Sequence, residues 1–172
     1  MNRIVVTAVS VAVLAAVTAA VAPAQAPRAL PTPAESVRRS FADVNRRVLE
    51  MAKDFPEAKY DFKPTAEVRS FGEVILHIAS GNIFGAKAGR GEQVKWDEVD
   101  PKTVQGKAAI VALLEKSIND ATATLKETPD ERFQKSISPW MSVIEHAGEH
   151  YGQLVVYYRV NGLVPPESRP KK

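Results

Sequence analysis

Ser138-Pro139-Trp140-Met141-Ser142-Val143-Ile144-Glu145-His146-Ala147-Gly148-Glu149-His150-Tyr151-Gly152-Gln153-Leu154-Val155-Val156-Tyr157-Tyr158-Arg159-Val160-Asn161-Gly162 is the stretch whose reading decides the fold. At 3.6 residues per turn, Val143, His146, His150, Gln153, Leu154 and Tyr157 fall on one stripe. Trp140, Ala147, Tyr151 and Tyr158 fall on the adjoining face. Two histidines four apart stand one above the other, one turn apart. The spacing predicts a helix from Ser138 to about Val160. Pro139 suits its first helical position, Asn161-Gly162 suits its C-terminal cap, and Pro165 and Pro166 prevent resumption.

Working outward, three more helices are expected. From Ala34 to Lys53, Val37, Phe41, Val44, Val48 and Met51 recur at spacings of three and four, and Pro56 ends the pattern. Residues 54–69 read as a polar connection carrying Tyr60, Phe62 and Pro64. Ser70 and Glu73 have the spacing of a capping box and open a second helix, Phe71 to about Ala88. It is apolar on most sides, as a central bundle helix would be. Val74, His77, Gly81 and Phe84 share one of its stripes, and Gly85, Gly89 and Gly91 are expected to loosen the chain into a loop running to Pro101. The third helix spans about Thr103 to Glu127, stopped by Thr128-Pro129-Asp130. With no strand pattern and no repeat, the chain reads as all-α, a four-helix bundle. The connections before helices two, three and four, roughly 10–16 residues each, exceed the usual bundle loops.

The chain has 172 residues and no cysteine. Asn2 and Arg3 precede a run from Ile4 to Ala22 that is apolar apart from Thr7, Ser10 and Thr18. Small residues follow, which is the layout of a secretory signal peptide. Ala22-Pro23-Ala24 places cleavage before Gln25. The organisation expected is therefore a signal peptide at 1–24, a proline-rich linker at 25–33 and a bundle domain at 34–168. The destination is periplasmic or extracellular, with no stable membrane anchor after cleavage. The net charge is +3; Arg3 is the leader's one charged residue, so the mature chain is nearly neutral. No basic stripe stands out, which speaks against a nucleic-acid partner. Without cysteine there is no thiol nucleophile and no thiolate ligand, so metal ligands must be His, Asp or Glu.

All three histidines, His77, His146 and His150, fall on expected helices. Two imidazoles from one helix and one from a neighbour suit a three-nitrogen metal site with an open position. The plain alternative is three hydrogen-bonded polar groups in a bundle interior. His146-x-x-Glu149-His150 also matches an inverted zinc-peptidase signature. That class needs a distant acidic ligand, and the one acidic residue downstream, Glu167, lies in a proline-rich segment. Gln153 and Tyr157 share the histidine stripe and are candidates to orient the imidazoles. Glu149, rotated off it, is a candidate base whose simpler role is an exposed carboxylate. Tyr60, Phe62, Phe84 and Trp96 are candidates to wall a substrate pocket, or else core aromatics. Gly89-x-Gly91 lacks the Lys-Ser or Lys-Thr of a phosphate loop.

Ser70-Phe71-Gly72-Glu73-Val74-Ile75-Leu76-His77-Ile78-Ala79, Ile144 to Leu154, and Tyr157-Tyr158-Arg159-Val160-Asn161-Gly162 together resemble the DinB-like family of four-helix-bundle metalloproteins. Tyr60-Asp61-Phe62-Lys63-Pro64 and Val164-Pro165-Pro166-Glu167-Ser168 also fit, so the resemblance covers residues 34–168. It implies a divalent metal, zinc, nickel, iron or manganese, on His77, His146 and His150. A metal held by three neutral imidazoles with an open position can acidify water or polarise a carbonyl, so a metal-dependent hydrolase or transferase acting on an unidentified small molecule is expected. The competing expectation is a non-catalytic metal-binding or interaction protein on the same fold. Some relatives use low-molecular-weight thiols, and the leader sets this chain apart from them. The resemblance also implies pairing as a homodimer.

Overall fold

The structure, a computed structural model, describes residues 29–171. The signal peptide expected at 1–24 and the first part of the linker, 25–28, lie outside the described residues. Within them run five α-helices and no strand. These are α1 (Pro33–Asp54), α2 (Phe71–Gly89), α3 (Lys107–Glu127), the short α4 (Asp130–Lys135) and α5 (Trp140–Val160). The four long helices pack as a ring in the order α1, α3, α2, α5, with α1 diagonal to α2. No described helix is long and apolar enough to cross a membrane.

The helix starts show local chemistry at work. Glu73 N–H donates to Ser70 Oγ at 3.2 Å, and Ser70 N–H donates to Glu73 Oε2 at 2.5 Å, the reciprocal capping box expected for α2. A second capping box, Thr32 with Glu35, opens α1 with Pro33 at its first position, one residue earlier than the spacing predicts. α3 begins at Lys107 rather than Thr103. Asp100 holds the amides of Lys102 and Thr103 at 2.9 Å each, and this turn competes with helix. Gly106, at φ 79°, then caps α3 in a conformation a side chain would strain. α5 begins at Trp140, with Pro139 as its cap after a cis Ser138–Pro139 peptide, so Pro139 stands just before the helix and not inside it. At the other end Leu163 N–H reaches Tyr158 O at 2.9 Å, with Gly162 at φ 71°, a glycine-closed cap as expected.

α4 lies in a segment read as connection. Pro129 precedes it, Asp130 and Glu131 occupy its positive N-terminal turn, and Phe133 buries its ring. The expectation for Gly85 and Gly89 is corrected. Both lie inside α2, where a Cβ would meet Val143 Cγ2 at 2.7 Å and Trp140 Cζ2 at 2.5 Å. These glycines admit α5 to close approach instead of loosening the chain.

Two buried clusters hold the bundle. The larger joins Val48, Met51, Phe55, Phe71, Ile75, Leu114, Leu154, Tyr157 and Tyr158. Phe55 and Phe71 stack at its centre with ring centroids 3.8 Å apart. The smaller joins Val37, Phe41, Leu125, Phe133, Trp140 and Val143. On α5, His146 stands between Val143 of the smaller cluster and Ala147 of the larger.

Candidate metal centre

α2 contributes His77, and α5, beside it in the ring, contributes His146 and His150. One ligand nitrogen from each lies within 4.8 Å of the other two. The ring centroids of the three pairs are 4.6 to 4.7 Å apart. His146 Nε2 approaches His77 Nε2 at 3.0 Å.

Each outward nitrogen explains which nitrogen is left facing in. His77 Nδ1 lies 2.8 Å from Glu98 Oε1, and a carboxylate only accepts, so Nδ1 carries the proton. His150 Nδ1 lies 2.8 Å from Gln153 Oε1 and donates likewise. Both imidazoles then present a bare Nε2 lone pair. Tyr157 Oη donates to the Arg69 carbonyl and stands 3.5 Å from Gln153 Nε2. The Arg69 guanidinium grips Glu98 at 3.1 and 3.2 Å. Both orienting arms therefore end on Arg69, one on its backbone and one on its side chain.

His146 differs. Its Nδ1 is buried with no hydrogen-bond partner. A Cβ on Gly81 would lie 2.8 Å from that atom, so the glycine makes room for the ring. Burial, then the neighbouring His150 and His77, pushes His146 down to about 4. Burial also lowers His77, outweighing the pull of Glu98 towards the charged form. The His77–Glu98 contact is accordingly a neutral N–H donating to a carboxylate, with no ion pair. Burial raises Glu98, but His77 and Arg69 outweigh it and hold that carboxyl below the usual range.

This donor set fits a divalent cation. His146 Nε2 and His77 Nε2, 3.0 Å apart, need a proton or a cation between them. Three imidazole nitrogens within 4.8 Å of one another are a set that a divalent cation could draw together. A carboxylate and an amide backing the ligand histidines is the arrangement metal-binding imidazoles use.

The sequence model of the DinB superfamily matches residues 40–157. The chain belongs to the DinB superfamily. No curated protein matches it. The matched residues include His77, His146 and His150.

The other candidates separate. Gln153 and Tyr157 lie in the orienting network. Glu149 is exposed and makes no hydrogen bond to the three histidines. Phe84 and Trp96 stand together near the cluster, with centroids 5.9 Å apart. Trp96 meets His77 and His146 edge-on at 5.5 Å each. Tyr60 is a core residue, buried with its hydroxyl donating to Ala52 O. Phe62 packs against Tyr157, with centroids 6.3 Å apart, and neither it nor Tyr60 joins Phe84 and Trp96. Sequence reasoning missed Glu98 and Arg69. Both lie outside helices, where no periodicity marks a residue as facing a site.

Proposed function

We propose that this chain is an exported, metal-dependent hydrolase or transferase acting on a small molecule. His77, His146 and His150 would hold its divalent cation. The observation that carries the reading is the convergence of three imidazoles, two of them with their outward nitrogens already engaged. A divalent cation held there supplies Lewis acidity. Zinc suits an all-nitrogen set, with nickel, iron or manganese as the other candidates.

The chain's own residues perform the remaining tasks. Burial keeps His77 and His146 neutral, so their lone pairs stay available. Glu98 and Gln153 hold the tautomers of His77 and His150, and Arg69 holds Glu98 in place. A cleft of about 500 Å³ lined by Arg69, Glu98, Gln153 and Lys63 gives a polar substrate an approach beside the cluster. Trp96 covers another side. The leader pattern at 1–24 supports export, with the mature chain starting at Gln25.

The test is purification from fractionated native cells, with N-terminal sequencing and elemental analysis of one sample. One divalent ion per chain and a start near Gln25 are expected. Ester and amide hydrolysis and group transfer are then screened with the native-metal form, and any activity should vanish on chelation and return with the metal. A full-length chain starting at Met1 in the soluble cytoplasm would overturn export. Metal-free native protein would overturn the metal reading.

A further inference from the structure

Gly81, Phe84, Trp96, Ser142, Val143 and His146 line a cavity of about 190 Å³ beside the histidine cluster, open to solvent on one side. None of its walls is an acid, a lysine or an arginine. The cluster's other flank is different, because the cleft there carries Lys63, Arg69, Glu73 and Glu98. The centre thus sits between an ionic side and an apolar side.

Three features make the apolar side a built pocket. Trp96 is 46% exposed, so it adds little to the core, yet the chain around it is anchored. Val99 N–H donates to the buried Ser80 Oγ at 3.0 Å, and Glu98 is fixed by His77 and Arg69. The indole is therefore carried on a pinned segment. Phe84 and Trp96 meet at an interplanar angle of 50°, forming an aromatic corner. Gly81 keeps the floor open, since a Cβ there would stand 2.8 Å from His146 Nδ1 and 3.7 Å from Trp96 Cη2.

We infer that this cavity is the substrate's specificity pocket and takes an uncharged aryl group. The inference rests on the metal-site reading above and names the substrate class for that site. An apolar cavity of about 150 Å³ accommodates benzene, so this one holds a phenyl ring with one small substituent. A ring there meets Phe84 and Trp96 in the tilted arrangements aromatic pairs prefer. A charged group would be desolvated with no partner. The polar part of the same substrate would then lie towards the cluster and the Arg69 side.

The test is fluorine NMR titration of the full-length protein with 4-fluorobenzyl alcohol, with metal content read on the same samples. Saturable binding with a Kd on the order of a millimolar is expected for so small a probe. Ser142→Phe fills the pocket from an exposed position on α5. Trp96→Ala removes a wall from outside the helices, where the fold does not depend on it. Each should weaken binding at least tenfold while metal stoichiometry is unchanged. Absence of saturable binding, or equal binding in both variants, overturns the pocket and leaves the metal site standing. Probe binding that both variants weaken, in protein that holds no metal under any condition, supports the pocket and overturns only the reading beneath it.

Discussion

An asparagine pair and the histidine cluster both bring polar groups into this bundle, and they differ in how their partners are arranged. Asn45 on α1 and Asn82 on α2 are fully buried. Asn45 Nδ2 donates to Phe41 O at 3.0 Å, and Asn82 Nδ2 donates to Asn45 Oδ1 at 2.9 Å. What remains is one unpartnered acceptor, Asn82 Oδ1, which a single donor would satisfy. In the histidine cluster the outer nitrogens of His77 and His150 are occupied, and His77 Nε2 faces His146 Nε2. Three ring nitrogens converging within 4.8 Å suit a cation. The asparagines join two diagonal helices; the histidines present a ligand set. Polarity is common to both. The difference is convergence: three ring nitrogens share one region, whereas the asparagines pass their hydrogen bonds along a chain.

Breaking the histidine side should give the largest effect. His146→Ala should lose stoichiometric metal and keep its helical circular dichroism, because both apolar clusters remain. Unchanged metal content would place the site elsewhere. Breaking the asparagine side should do the reverse. Asn45→Ala strands the Asn82 amide and should cost about 1–3 kcal/mol in urea unfolding, with metal content untouched. A metal loss there would mean that the two regions are coupled.

Smaller effects sharpen the contrast. Gln153→Ala and Glu98→Ala should each weaken metal affinity about 10- to 100-fold in a competition titration, since each frees an imidazole to rotate. Glu149→Ala should leave affinity unchanged. Gly81→Ala should also weaken binding, by pushing on His146, whereas Gly148→Ala on the same helix as His146 meets nothing within 4 Å and should not.

Acid should act on the metal-free protein through His146. Its folded value, about 4, lies below its ordinary 6.5. As pH falls through 6.5 the unfolded chain takes up the proton first, so stability declines from there and the loss is complete near pH 4. The lowered His77 adds in the same direction. Chelated protein unfolded in urea across that window should show the decline, and His146→Gln should flatten it.

These contrasts also mark what was legible in the sequence. The three histidines, Gln153 and Tyr157 sit at helical spacings, and a helix converts spacing into direction. The Ser70–Glu73 box and the Asn161–Gly162 cap are local chemistry, and both appear where the residues place them. Glu98, Arg69 and the setting of Trp96 depend on how the connections fold back, with Val99 pinned to Ser80, and no periodicity encodes that. Gly85 and Gly89 looked like breakers because a glycine in a sequence reads as freedom. Only the partner helix shows that their value is the missing Cβ. Tyr60, in a polar segment, packs into the core because its ring has Phe55 and Phe71 to meet, with centroids 6.4 and 5.2 Å away.

The central claim is that three imidazole nitrogens bind one ion. X-ray absorption spectroscopy of the native-metal protein tests it most directly. A nearest shell containing three imidazole nitrogens is expected, at about 2.0–2.1 Å if the ion is zinc, with the multiple-scattering signature of the rings diminished in His77→Ala. A shell of carboxylate and water oxygens without imidazole scattering would contradict it.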